Sequence, residues 1–556
     1  VALQAAGSVA VVNLRQGKVE IEIPVGRGPS DVALHGRRLF VSCEDDDQLV
    51  EVDPERRAVA RRWPTAQAPR GLAIHPDGTR VFVACHDAKT VQAIDPASAA
   101  TTALALDAWA ERVVIHRDTQ APYLLILSAN ERGATVTMSA VDRLRVLSTN
   151  RIAGISNAPG FASKPGPSSF VLLVHQQPRD KVPATQVAQG WVFTNAISSF
   201  SPWGIDTPKG GASPAKVLDE PGRAFADPSD VALSPDHRHA FVACGGADSV
   251  LVLRSDRFVS ANYGPMDADA SHHNGKDDLS LTRRYLVARI PTQANPRRLA
   301  LSGDGGTLVV SNTLADSLTV IDARTFEVRR HIALGTAEVD AARRGERLFH
   351  SNRLTFQGQF TCASCHPHGG SDGLNWDLSR DGIGNFLNTR SLRGIADTAP
   401  YGWHGTSATL PDRIAGTLRQ VHRVEPTSTE VDDLAAYLRT LPPPRPLPVP
   451  AAERDAVARG NLLFHGKAKC SACHQEKTWQ DGIAHDVGTK IDGDLADRFD
   501  TPSLRGLVRT APYLHHGQAA TLDDVFSKFN ERQRHGAAHL LTPAELTELI
   551  AFLRSL

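Results

Sequence analysis

Through residues 1–335 apolar and polar side chains alternate in short runs, and the runs recur as a unit. PSDVALHGRRLFVSCEDDDQLVEVD begins at Pro29 and PRGLAIHPDGTRVFVACHDAKTVQAID at Pro69. PSDVALSPDHRHAFVACGGADSVLVL follows at Pro228 and PRRLALSGDGGTLVVSNTLADSLTVID at Pro296. Each copy reads as an apolar strand, a tight turn, a second strand, a polar turn and a third strand, often closed by aspartate. A period of about forty residues predicts propeller blades. Weaker copies start near Glu111, around Ser168 and near Gly190, and SVAVVNL and KVEIEIPV open the chain. Together they predict an all-β propeller of about seven blades over 1–335. One insertion, 255–289, breaks the rhythm. Its adjacent His272 and His273 offer imidazoles to a metal, although an exposed loop of this kind is ordinarily just solvated.

From residue 340 the alternation gives way to helical periodicity, and the pattern is duplicated. AARRGERLFHSN and AVARGNLLFHGK read as amphipathic helices with an aromatic near the end, Phe349 and Phe464. DDLAAYLRTL and ELTELIAFLRSL read as closing helices. The proline-rich run 441–450 is an extended linker between two mainly α domains, 340–440 and 451–556.

Between leading and closing helix each domain carries two cysteines three positions apart with a histidine next: Cys362, Cys365, His366, then Cys470, Cys473, His474. This spacing lets two thiols form thioethers to a haem while the histidine becomes the proximal iron ligand. A zinc site would need four ligands from distant motifs or further histidines, and a redox dithiol has no use for the histidine. Two covalently attached c-type haems are therefore expected, in two cytochrome c-like domains. Cys43, Cys85 and Cys244 each end an apolar run and are expected as small buried strand residues. Trp63, Trp109, Trp191 and Trp203 are expected mainly in packing roles.

The 61 basic and 61 acidic residues cancel, a poor footprint for nucleic acid or an anionic membrane. The longest apolar runs, such as 123–127 and 170–174, are too short to span a bilayer. Covalent haem attachment outside the cytoplasm and a first residue Val1 lead to the expectation of an exported, periplasmic protein whose signal peptide has been removed.

The propeller repeats resemble the YVTN family of surface-layer-like propellers, with the signature blurred to FVSC, FVAC and VVSN. The haem half resembles the bacterial dihaem cytochrome c peroxidases, a family that includes MauG-like protein-oxidising enzymes. The resemblance rests on the tandem CxxCH motifs and on TRSLRGIADTAPYGWHG (389–405), which aligns without a gap on TPSLRGLVRTAPYLHHG (501–517). DGLNWDLSRDGIGN after the first motif resembles the propeller-fused members. The resemblance implies an electron bridge at Trp403 and a calcium ion held in part by Asn388. Arg380 stands where the peroxidases carry the resting distal histidine, which implies an open first haem. The family's acid–base glutamate aligns with Arg423, so Glu425 is the expected acid–base group and His422 its alternative. His404, beside Trp403, is expected to line the pocket, to ligate iron, or to cap a turn.

The family's second haem usually has a methionine ligand, but Met138 and Met266 both lie in the propeller half. His535 is the nearest donor, followed by His539, with Tyr513, His515 and His516 as further candidates. The implied activity is reduction of hydrogen peroxide with electrons from a small redox protein, or MauG-like oxidation of a protein substrate. In the competing reading the propeller is a docking module and the cytochrome domains relay electrons.

Overall fold

A computed structural model describes residues 1–117, 121–130, 133–164, 169–180, 192–203, 215–257, 278–335, 339–377, 385–494 and 496–556. His272, His273, Met266, Trp191 and Arg380 lie outside the described residues. The chain divides into two compact units, the first 1–178 with 194–337, the second Arg179–Phe193 with Glu338–Leu556.

The first unit is a seven-bladed β-propeller. A three-stranded sheet, Ala2–Leu3, Ser8–Asn13 and Lys18–Pro24, is followed by six four-stranded antiparallel sheets. The last blade packs Leu318, Val320, Ile332 and Leu334 against Val1, Leu3, Val12 and Val19 of the first, which closes the ring. The recurrent PSD of the sequence has a mechanical reason. Ser30 Oγ donates to Pro69 O (2.9 Å), and Asp31 Oδ2 accepts from Leu72 N (3.0 Å), both in the next blade. Ser229 donates likewise to Pro296 O (2.7 Å), and Asp230 accepts from Leu299 N (3.0 Å). These side chains satisfy backbone groups that would otherwise be stranded between blades. Cys43, Cys85 and Cys244 are fully buried at second-strand ends.

One expectation needs correction. The weak repeats around Ser168 and near Gly190 are not separate blades: Phe170–Pro178 and Phe193–Phe200 are neighbouring strands of one sheet. Their lengthy connection, Arg179–Phe193, belongs to the second unit. There Val192 N donates to Gln359 Oε1 (2.9 Å), and Phe193 packs with Phe360 and Trp376.

The second unit repeats one helical plan. In its first half α1 (Ala341–Phe349), α2 (Cys362–Cys365), α3 (Leu410–Thr417) and α4 (Ser428–Thr440) surround a core of Leu348, Leu410, Ile414 and Leu434. The second half has α5 (Arg454–His465), α6 (Leu522–Ser527) and α7 (Pro543–Ser555). Thr409, Thr427, Thr521 and Thr542 cap α3, α4, α6 and α7, each accepting a backbone N–H three residues on. Leading and closing helices cross at a glycine in both halves. A Cβ on Gly345 would lie 1.9 Å from Asp433 O, and one on Gly460 2.0 Å from Glu548 O. The glycines thus set the helix separation, and the aromatics one turn on fill the crossing: Phe349 with Tyr437 (5.2 Å), Phe464 with Phe552 (5.3 Å). The run 441–450 is neither helix nor strand.

Candidate active site

Both CxxCH motifs line one cavity of about 930 Å³ in the second unit. Cys362 and Cys365 sit at the two ends of α2, whose N-terminus is fixed by reciprocal bonds of Thr361 and Ser364. His366 follows at once, with Nδ1 3.1 Å from Gly370 O. A carbonyl can only accept, so Nδ1 carries the proton and Nε2 keeps its lone pair. In the second motif the same logic applies to His474, whose Nδ1 lies 3.0 Å from Trp479 O. Burial lowers the pKa of both imidazoles, that of His366 to about 4, so they are neutral, as metal ligation requires. Four free thiols, two neutral imidazoles and walls such as Leu410, Ile414, Leu522 and Val525 fit haem c at each motif.

The second site is enclosed on both sides. His535 faces His474 with ring centroids 6.4 Å apart and planes inclined at 38°. Two imidazole–metal bonds of roughly 2 Å each, plus the half-width of two rings, require about 6 Å, so one iron fits between them. His535 is held by Asn530, whose Nδ2 donates to its carbonyl (3.1 Å) and whose Oδ1 accepts its N–H (3.0 Å). Burial and the neighbouring His474 bring His535 down to about 4. His539 is exposed on a short turn.

The first site is built differently. The π-helical turn Leu418–His422 continues α3 and buries His422. Its Nδ1 lies 2.9 Å from Leu354 O and 3.0 Å from Thr355 Oγ1, so the N–H points outward and Nε2 is again a lone pair. Its ring contacts Phe360 at 5.0 Å, and burial lowers it to about 4, with His366 a smaller contributor. Among the described residues no ring contact joins His366 to His422, in contrast to His474 and His535. Glu425, the expected acid–base group, is on the surface. Arg423 turns the chain through a left-handed conformation (φ 58°), and Glu425 forms an ion pair with Arg419 at 2.7 Å, which lowers its pKa. It does not line the cavity, whereas His422 does. His404 also lines the cavity, its ring 5.2 Å from Phe499 and its Nδ1 3.4 Å from Arg498 O.

Trp403 stands where the two halves meet. Its Nε1 donates to Asn388 O (2.7 Å), and its carbonyl accepts from Asp500 N (2.7 Å). Arg390 lies over the ring at 5.2 Å and pairs with Asp500 at 3.0 Å. Asn388 is engaged by protein groups at its N–H, by His515 O (2.7 Å), and at its Nδ2, by Asn375 Oδ1 (3.0 Å). His515 approaches Trp403 edge-on at 6.4 Å, stacks on Phe499 at 3.6 Å and, with His516, donates to the buried Asp494 (3.0 and 2.8 Å). Both histidines are candidate iron ligands by sequence, and in the structure they hold a carboxylate beside the bridge. Asp494 carries no signal in the sequence, since a lone carboxylate has no diagnostic spacing, and the DGLNWDLSRDGIGN run that holds Asp372 and Trp376 does not announce the bond between them.

Fold and site together define a β-propeller followed in the chain by two cytochrome c-like domains, each with a CxxCH motif that lines a cavity fit for haem c. Residues 340–442 match the family model described as Di-haem cytochrome c peroxidase, and 457–556 that described as Cytochrome c. The chain is 27% identical over 290 residues to Hydrazine synthase subunit gamma of Kuenenia stuttgartiensis, covering 41% of this chain and 81% of the relative. It is 26% identical over 273 residues to Methylamine utilization protein MauG of Methylorubrum extorquens, covering 38% and 76%. Among solved structures, Kuenenia stuttgartiensis Hydrazine Synthase shares the fold with a TM-score of 0.52 at 24% identity, over 57% of this chain and 90% of that one. No described helix is long and apolar enough to cross a membrane.

Proposed function

We propose that the protein is a periplasmic dihaem oxidoreductase that activates hydrogen peroxide at the first CxxCH site and exchanges electrons through the second. The observation carrying this reading is the asymmetry of the two sites: His474 is matched by His535 at two-ligand spacing, whereas His366 and the tethered, neutral His422 line the cavity with no ring contact between them among the described residues. Cys362, Cys365 and His366 would hold a haem at the first site, whose iron would supply redox chemistry to the O–O bond. His422 Nε2 takes a proton from one peroxide oxygen and delivers it to the other, so that water leaves instead of hydroxide. The tether at Nδ1 fixes the tautomer that makes this transfer possible. Each turnover takes up two electrons and two protons and yields two waters.

Trp403, hydrogen-bonded to one half of the module and packed against His515 of the other, is the proposed electron bridge. A His474/His535 pair favours oxidised iron relative to a His/Met pair. That favours withdrawal of electrons from a protein substrate over rapid turnover with a high-potential cytochrome. A calcium ion at Asn388 rests on the family resemblance alone. The direct test is steady-state peroxide consumption by the dihaem protein with a reduced small cytochrome or a co-encoded protein as reductant. Consumption that collapses in His422→Gln supports the reading, and a protein that leaves peroxide untouched overturns it.

A further inference from the structure

We propose that Trp376 is a second redox-active tryptophan, the residue on which an oxidising equivalent from the first site comes to rest, with Asp372 as the base that receives its indole proton. The inference rests on peroxide activation at the first CxxCH site and adds to it a store for one electron hole.

Trp376 lies in the short hairpin Asn375–Asp377 with Phe386–Asn388, is 4% exposed and lines the same cavity as His366 and His422. A continuous series of ring contacts leads to it from the acid–base histidine: His422 to Phe360 (5.0 Å), Phe360 to Phe193 (5.4 Å) and Phe193 to Trp376 (5.1 Å). All of these residues belong to the second unit.

What separates Trp376 from Trp403 is the hydrogen-bond acceptor. Trp403 Nε1 donates to the backbone carbonyl of Asn388 (2.7 Å), which cannot take the proton, so an oxidised Trp403 stays a cation. Trp376 Nε1 donates to Asp372 Oδ2 (3.0 Å), a carboxylate. An indole that has lost an electron is a far stronger acid than the neutral ring, and a carboxylate already in its hydrogen bond removes the charge within the site. Oxidation is therefore easier at Trp376, and a hole reaching both rings settles there. Asp372 is fixed in position to act as that base. Its Oδ1 accepts Leu374 N (3.0 Å), and its own N–H donates to Cys365 O (3.0 Å), in the haem-binding turn. Burial raises its carboxyl to about 6, which makes it a better base than a solvated carboxylate. An indole needed only for packing would be satisfied by a carbonyl, without the desolvation that a buried carboxylate costs.

The balance is simple. Peroxide is the oxidant and takes two electrons, one from Trp376 and one from the haem system. The Trp376 Nε1 proton moves to Asp372, and re-reduction returns electron and proton together. Trp376 sits on the hairpin whose Asn388, paired with Asn375, offers the carbonyl that accepts from Trp403.

The test is freeze-quench electron paramagnetic resonance of the dihaem protein after one equivalent of peroxide, in wild type, Trp376→Phe and Asp372→Asn. The expected wild-type signal is a tryptophanyl radical without an exchangeable N–H coupling. It is lost in Trp376→Phe, and in Asp372→Asn it gains a coupling that deuterium removes. Peroxide consumed with an unchanged radical in Trp376→Phe, or with no organic radical in wild type, overturns the proposal. If peroxide is not consumed, the first-site reading has failed instead. Photochemical one-electron oxidation with a ruthenium tris-bipyridyl complex and persulfate, read by peptide mass mapping, then decides. Oxidation at Trp376 that falls several-fold in Asp372→Asn supports the assignment, and oxidation elsewhere overturns it.

Discussion

His535 faces His474 with ring centroids 6.4 Å apart, a separation that one iron with two imidazole ligands would fill. His535→Ala therefore converts one low-spin ferric signal to high spin, and added imidazole restores it. Absorption and paramagnetic resonance read both changes. An unaltered spectrum in the variant removes His535 as ligand.

The first site predicts a contrast between two neighbours. His422→Gln removes the Nε2 lone pair and lowers the rate of reaction with peroxide by roughly 10²–10⁴-fold, the usual worth of a placed acid–base group. Glu425→Gln leaves that rate unchanged, because Glu425 is exposed and paired with Arg419 outside the cavity. Stopped-flow traces of the two variants side by side decide whether the acid–base assignment belongs to the imidazole.

Glycine-to-alanine changes in the helices have opposite signs according to what a Cβ meets. At Gly345 it would strike Asp433 O, and at Gly460 Glu548 O, so each alanine forces the helices apart and costs roughly 1–3 kcal/mol or more. At Gly416 in α3 nothing lies within 4 Å, and alanine stabilises by roughly 0.5–1 kcal/mol through helix propensity. Thermal unfolding of the three variants should order them Gly416→Ala above wild type, the other two below.

The propeller has its own acid sensitivity. His175 is fully buried, its Nε2 2.8 Å from Ser198 Oγ and its Nδ1 without a hydrogen-bond partner, and burial depresses it from 6.5 to about 4. Between those values the unfolded chain binds a proton that the folded one does not. Stability is full above about pH 6.5 and is lost as the pH falls towards 4, by an amount on the order of 3 kcal/mol. His175→Asn flattens that part of the stability curve, as denaturant titrations at pH 7 and pH 4.5 measure. An equal pH dependence in the variant assigns the effect to other buried histidines.

The propeller is legible in the sequence because each blade repeats its own instructions: the PSD serine and aspartate reach the next blade's backbone, and the apolar runs become the buried strands. Legibility fails in the fifth blade, where strands lengthen, the turn signals thin out and 179–193 leaves the repeat for the other unit. In the haem half, CxxCH and the duplicated helices locate the cavity, because thioether spacing and helix periodicity are local. Spacing does not decide between His422 and Glu425: a π-helical turn and the left-handed Arg423 set which side chain faces inward, and neither leaves a periodic signal. The bond from Trp376 to Asp372 is equally silent, since a buried carboxylate and a surface one look alike in sequence.

The asymmetry of the two haem sites is the feature on which the proposed chemistry depends. Its most direct test is rapid-mixing absorption and paramagnetic resonance of the fully ferric protein with one equivalent of hydrogen peroxide. The expected result is one low-spin signal from the His474/His535 site and a separate first-site signal that disappears promptly on mixing, more slowly in His422→Gln. Two low-spin sites that ignore peroxide, before and after one-electron reduction, would contradict it and leave an electron-transfer protein.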